Sequence, residues 1–240
     1  MRDQTRKTTL ERLIADRPSF HTQSSDGASV SWAVCPDVLR FIYENVTPGA
    51  TTLETGSGHT TVAFALAGAD HTAVTPSEDE SNKILEYLGK VGAELTVQFV
   101  IESSDSALPR HETIPKELDF ALIDGAHAFP LPLVDFHYTE QRLKIGGIMG
   151  VDDIFMPSVR ILYDFLRGED DWELVRQIED TAFFRRLAKR DTSEDLWASQ
   201  NINKAFWERK VRRQRSRLRW LIYLPVRMVR NPKRYFGSRG

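Results

Sequence analysis

Between residues 50 and 153 the sequence alternates five times between a short apolar run and a longer amphipathic stretch. The runs are ATTLE (50–54), HTAVT (71–75), LTVQFVI (95–101), LDFALID (118–124) and IMGVDD (148–153). HTTVAFALAG (59–68) reads as the helix after the first run. A second helix opens at Ser77, whose spacing to Glu80 is that of a capping box, and runs to Leu88. Pro130 and Pro132 suit the first turn of another, ending near Leu143. Lys144 to Gly147 reads as a turn into the fifth run. Parallel strands need crossovers of this kind, so the alternation predicts a parallel sheet with helices on both faces. A helix around 157–167 precedes WELVRQI (172–178) and TAFFRRL (181–187), which a Glu-Asp turn joins into a hairpin. The expected class is therefore α/β: a doubly wound, mostly parallel sheet of about seven strands with an antiparallel C-terminal hairpin strand.

At 41% hydrophobic residues the chain can fill such a core. One cysteine, Cys35, allows neither an internal disulfide nor a thiolate metal cluster and fits a reducing, cytoplasmic setting. PDVLRFIYENV, from Pro36, reads as a helix within an N-terminal cap of residues 1–48. No apolar run approaches the roughly 20 residues that span a bilayer. The formal net charge of -2 hides an asymmetry: residues 204–240 carry +12 and residues 1–203 carry -14. The expected organisation is cap (1–48), α/β body (49–190) and basic tail (191–240).

Ligands of doubly wound sheets bind beyond the carboxyl ends of the strands, so residues there carry the functional reading. After the first run comes Glu54-Thr55-Gly56-Ser57-Gly58-His59-Thr60. Its glycines allow a tight turn and close approach to a ligand. Thr61 stands where a dinucleotide fingerprint wants its third glycine, and Glu54 suits a cationic ligand better than a phosphate. Asp124-Gly125-Ala126-His127 follows the fourth run and Asp152-Asp153 closes the fifth. These carboxylates suit a hard divalent ion, while loop bonding and helix capping are the structural alternatives. His127 is the candidate general base, or else bonds its own loop; His59 faces ligand or solvent. Phe20, His21 and Trp32 belong to a segment that packs on the sheet or closes over the ligand.

In order, LETGSGHTT, FVIESSDSALP, LDFALIDGAHAF and KIGGIMGVDDI resemble the class I S-adenosylmethionine-dependent methyltransferases, nearest their small-molecule O-methyltransferase-like branch. The resemblance covers about residues 30–187 and implies a Rossmann-like fold. It implies a cofactor loop of Glu54, Gly56 and Gly58, with Thr60 and Thr61 opening the helix behind it. It also implies a ribose-binding acid at the end of the second strand. Thr75 stands there instead, with Glu78 near enough to substitute. Ser103, Ser104 and Asp105 fall on the adenine side, and Asp124 on cofactor or metal. Asp124, Asp152 and Asp153 resemble the family's site for Mg²⁺ or another divalent cation. The implied reaction is methyl transfer to oxygen of a small-molecule or glycan-precursor acceptor, with His127 and Asp124 catalytic.

Residues 204–240 interleave arginines with Trp207, Trp220, Leu221, Ile222, Tyr223 and Leu224. An anionic membrane surface, giving a peripheral location on its inner face, fits this mixture of charge and apolar area. Docking on the acidic body, a homo-oligomer arm and nucleic acid are its rivals. Two other functional classes compete with the enzyme reading: a catalytically silent binding module tethered to a membrane, and a nicotinamide-dependent oxidoreductase.

Overall fold

The computed structural model describes residues 2–21, 34–93, 96–110, 112, 114–189, 200–204 and 209–210. The chain divides into two compact units, Met1–Lys189 and Arg190–Gly240. The first begins with helices α1 (Arg2–Asp16) and α2 (Pro36–Asn45). There follow β1 (Thr51–Thr55), α3 (His59–Ala67), β2 (Asp70–Thr75), α4 (Glu78–Lys90), β3 (Val97–Ile101) and the short α5 (Ser104–Ala107). The chain continues through β4 (Leu118–Ile123), α6 (Leu131–Glu140), β5 (Leu143–Val151) and α7 (Pro157–Gly168). It closes with the hairpin β6 (Trp172–Ile178) and β7 (Thr181–Arg186).

The seven strands lie in the order β3-β2-β1-β4-β5-β7-β6. Neighbours from β3 through to β5 pair in parallel, and β7 pairs antiparallel with both β5 and β6. The antiparallel strand is thus one place in from the edge, and β6 forms the edge. The order in which strands are added reverses between β1 and β4, which is where a doubly wound sheet opens a crevice.

Each face of the sheet has its own core. On one, Phe64, Phe120 and Phe183 pack with Leu10, Leu13, Val38 and Ile42 of α1 and α2. On the other, Met149, Val151 and Phe184 pack with Phe136 of α6 and Leu162 and Leu166 of α7. Every residue of α3 is buried, because α1 and α2 cover the side turned away from the sheet. That explains its lack of a polar stripe.

β5 begins at Leu143, earlier than the sequence suggests, and the expected turn at Lys144–Gly147 is an irregularity inside the strand. Leu118 pairs with Leu143 and Phe120 with Ile148, so the extra residues bulge between them. Gly146, at φ 83°, supplies the left-handed residue this needs. The short α5 has too few residues to announce itself by periodicity.

Candidate active site

A cleft of about 770 Å³ opens at the carboxyl ends of the parallel strands. Of the residues the resemblance assigns to the cofactor, Gly56, Thr75, Ser104, Asp105 and Asp124 line it. Glu54, Gly58 and Thr60 do not. Successive side chains of a strand alternate between faces, and that of Glu54 turns under α3. There it is fully buried. Thr60 Oγ1 donates to its Oε2 (2.7 Å), Thr61 Oγ1 donates to Oε1, and His71 Nε2 lies 3.1 Å from Oε1. With Oε1 as the acceptor, Nε2 is the donor nitrogen, which leaves Nδ1 to accept from Thr52 Oγ1 at 2.8 Å. Thr61 Oγ1 in turn accepts the Gly58 N–H at 2.9 Å. Glu54 therefore shapes the glycine loop from below.

Gly56 takes φ 91°, and a Cβ there would sit 2.2 Å from the Asp124 carbonyl oxygen. This close approach locks the loop after β1 against the loop after β4. The next residue, Ser57, lines the cleft with a buried hydroxyl that has no partner among the described residues.

At the nucleoside end the structure separates the two acids near Thr75. Glu78 is exposed, whereas Glu80 faces the cleft. Ser77 caps α4 as expected, accepting the Glu80 N–H at 3.3 Å. The Glu80 side chain does not reach back to complete a capping box; it pairs with His21 Nδ1 at 3.3 Å. His21 lines the cleft as well, and so do Val34 and Cys35. His21 belongs to the segment expected to pack on the sheet or close over the ligand, and the cleft takes it in; Glu80 was not legible as a site residue, because the fold alone brings α4 to the segment after α1. Trp32 lies outside the described residues. His59 faces neither ligand nor solvent: it is 7% exposed, packed on Phe20, and burial pulls its pKa down to about 4.

At the other end, His127 Nε2 lies 3.0 Å from Asp153 Oδ2. The loop is fixed through the His127 carbonyl, which accepts from Ser158 Oγ at 2.5 Å, so the imidazole is not needed for that purpose. The Asp153 carboxylate beside it raises the His127 pKa against the opposing effect of burial. Asp124, enclosed beside Asp152, Glu54 and Asp153, is pushed well above the usual carboxylate range, first by burial and then by those negative neighbours. Asp152 is raised by burial, and its Oδ1 accepts from Thr181 Oγ1. Neither aspartate after β5 caps α7, whose N-cap is Met156.

Of the expected metal ligands Asp124, Asp152 and Asp153, the structure groups Asp124 and Asp153 with His127 instead of Asp152. One ligand atom from each lies within 4.8 Å of the others. Burial and neighbouring negative charge both raise Asp124 and Asp152, and a cationic ligand or a divalent ion would relieve that strain on the ionised forms.

The sequence matches the family described as "Methyltransferase domain" over residues 53–154. Residues 53–154 carry a methyltransferase domain. The match begins in β1 and ends just after Asp153, so it takes in the loops after β1, β4 and β5. Among solved structures, the methyltransferase is similar in fold to cofactor-bound Rv0187 from MTB. That similarity has a TM-score of 0.58 at 14% identity, covering 75% of this chain and 90% of that one. It is also similar to the O-methyltransferase TomG from Streptomyces achromogenes, involved in tomaymycin synthesis and solved in complex with SAM. Here the TM-score is 0.55 at 13% identity, covering 77% of this chain and 90% of that one. No curated protein matches the sequence. The nicotinamide oxidoreductase alternative is set aside by the matched domain.

No helix among the described residues is long and apolar enough to cross a membrane. Apart from Lys204, Arg209 and Lys210, the basic residues of the tail lie outside the described residues, and so do its expected membrane, docking and nucleic-acid contacts.

Proposed function

We propose that the methyltransferase methylates a hydroxyl oxygen of a small molecule or glycan precursor, with His127 as general base. The observation that carries this reading is the His127–Asp153 pair at the cleft wall. When bound, S-adenosylmethionine supplies an electrophilic methyl carbon on a sulfonium. Gly56, Ser57 and Asp124 line the part of the cleft next to the glycine loop, where the methionine portion fits. Ser104 and Asp105 flank the base, and Glu80 serves the ribose in place of an acid at Thr75. His127 accepts the acceptor's hydroxyl proton as the new C–O bond forms and the C–S bond breaks. The products are a methyl ether and S-adenosylhomocysteine, which leaves with the sulfur electron pair. Asp153 orients the imidazole and stabilises its protonated form. TomG, an O-methyltransferase of similar fold, supports oxygen as the methylated atom.

A second reading is favoured by the proximity of Asp124, His127 and Asp153. They fit a divalent ion in ligand type, and such an ion would acidify the acceptor hydroxyl. His127→Ala separates function from architecture. It is expected to lower turnover with a panel of hydroxylated acceptors by about 100-fold or more, with S-adenosylhomocysteine affinity changed less than about threefold. Equal loss of both would make His127 structural.

A further inference from the structure

The cleft has one property that neither the matched domain nor the catalytic pair requires. Seven carboxylates line it, and no lysine or arginine does among the described residues. Near the nucleoside end, Glu80 has His21 as a partner. Beside the catalytic histidine, Asp153 has His127 and Asp152 has Thr181. Asp105 and Asp124 fall to the cofactor in the proposed reading, which leaves Glu179 and Asp180. They form the two-residue turn between β6 and β7, and Ile178 pairs with Thr181 across it. Both are exposed, and both line the cleft.

This turn is held in place, because the Ile154 N–H donates to the Asp180 carbonyl at 2.9 Å. The next residue, Phe155, is 61% exposed and lines the same wall. An anchored turn that bears two carboxylates, in a cleft also lined by an open aromatic ring, is a combination that attracts an organic ammonium: the charge meets the carboxylates and the alkyl or ring portion meets the phenyl face. It repels carboxylates and phosphates, since like charges brought together without a counter-ion are disfavoured. Glu179 and Asp180 also stand outside the Asp124–His127–Asp153 group, so an ion held there would leave them uncompensated.

We infer that the acceptor is a cationic small molecule, bearing a protonated amine that the Glu179–Asp180 turn and Phe155 recognise while its hydroxyl faces His127. The inference rests on the hydroxyl-methylation reading for the second half of that statement and on the cleft alone for the first. Methyl transfer to the amine would first need removal of its proton, and in this pose the hydroxyl, not the ammonium, faces His127.

Three probes of one skeleton test it: tyramine (cationic), 4-ethylphenol (neutral) and 4-hydroxyphenylacetate (anionic). Binding of each to the full chain loaded with S-adenosylhomocysteine is measured by calorimetry, and methyl transfer by radiolabel from S-adenosylmethionine. Tyramine is expected to bind about tenfold more tightly than 4-hydroxyphenylacetate at low salt, with 4-ethylphenol between. The Glu179→Gln, Asp180→Asn double variant should bring the ratio below about threefold. It should leave S-adenosylhomocysteine affinity unchanged, which shows that it is folded. Tyramine binding without transfer to its hydroxyl would keep the inference and overturn the hydroxyl reading. Transfer to all three without preference would do the reverse. Tighter binding of the anion, no binding of tyramine, or a preference unchanged in the double variant would overturn the inference.

Discussion

His71 Nε2 lies 3.1 Å from Glu54 Oε1 in a place that solvent does not reach. The acid that sequence resemblance assigns to the cofactor is thereby engaged from three sides, by His71, Thr60 and Thr61. Glu54→Ala should destabilise the protein by on the order of 3–5 kcal/mol, because it strands buried donors. Glu54→Gln should be milder, since the amide oxygen still accepts. Urea denaturation measures both. Where Glu54→Gln remains folded, S-adenosylhomocysteine affinity should change less than about threefold.

The glycine loop offers a controlled comparison. Gly56 and Gly49 both have positive φ, 91° and 80°, but only Gly56 would drive a Cβ into backbone, while Gly49 has nothing within 4 Å. Gly49→Ala should cost about 1–2 kcal/mol of backbone strain alone. Gly56→Ala should cost clearly more and abolish S-adenosylhomocysteine binding, since the loops after β1 and β4 can no longer meet. Thermal melts with and without ligand give both quantities.

Much of this was legible beforehand. The five alternating runs carry the strand order logic, and hydrophobic content at 59–68 marks a buried helix. Gly56 and Asp124 are visible because special backbone and strand-end acids leave a local signature. Glu54 was misleading, because the face on which a central-strand side chain emerges depends on register with β2, where His71 waits. Glu80 and His21 meet across 59 residues of sequence, and no local pattern encodes such a contact. The bulge in β5 was hidden because Gly146-Gly147 has the same composition whether it turns a chain or interrupts a strand.

His59 gives stability a pH dependence. Its folded pKa is about 4 against an ordinary value of 6.5, with burial as the chief cause. Below pH 6.5 the unfolded chain takes up a proton that the folded chain refuses, so this contribution is present above 6.5 and lost as pH falls towards 4. The loss is on the order of 3 kcal/mol. Unfolding free energies at pH 7 and pH 4.5 should differ less in His59→Gln than in the parent.

Chelation distinguishes the two ways of activating the acceptor. If Asp124, His127 and Asp153 hold a divalent ion, EDTA removes most turnover and Mg²⁺ or Mn²⁺ restores it. If His127 acts alone as base, turnover survives EDTA. The membrane expectation for the tail is tested separately: if it holds, vesicles containing phosphatidylserine float the full chain and not a truncation at residue 203, less so at high salt.

Calorimetric titration of the full chain with S-adenosylhomocysteine tests the central claim most directly. The cleft account predicts one saturable site per chain, weakened about tenfold or more by Glu80→Ala and unaffected by substitution of the exposed Glu78. No heat of binding, or equal effects of the two substitutions, would contradict it.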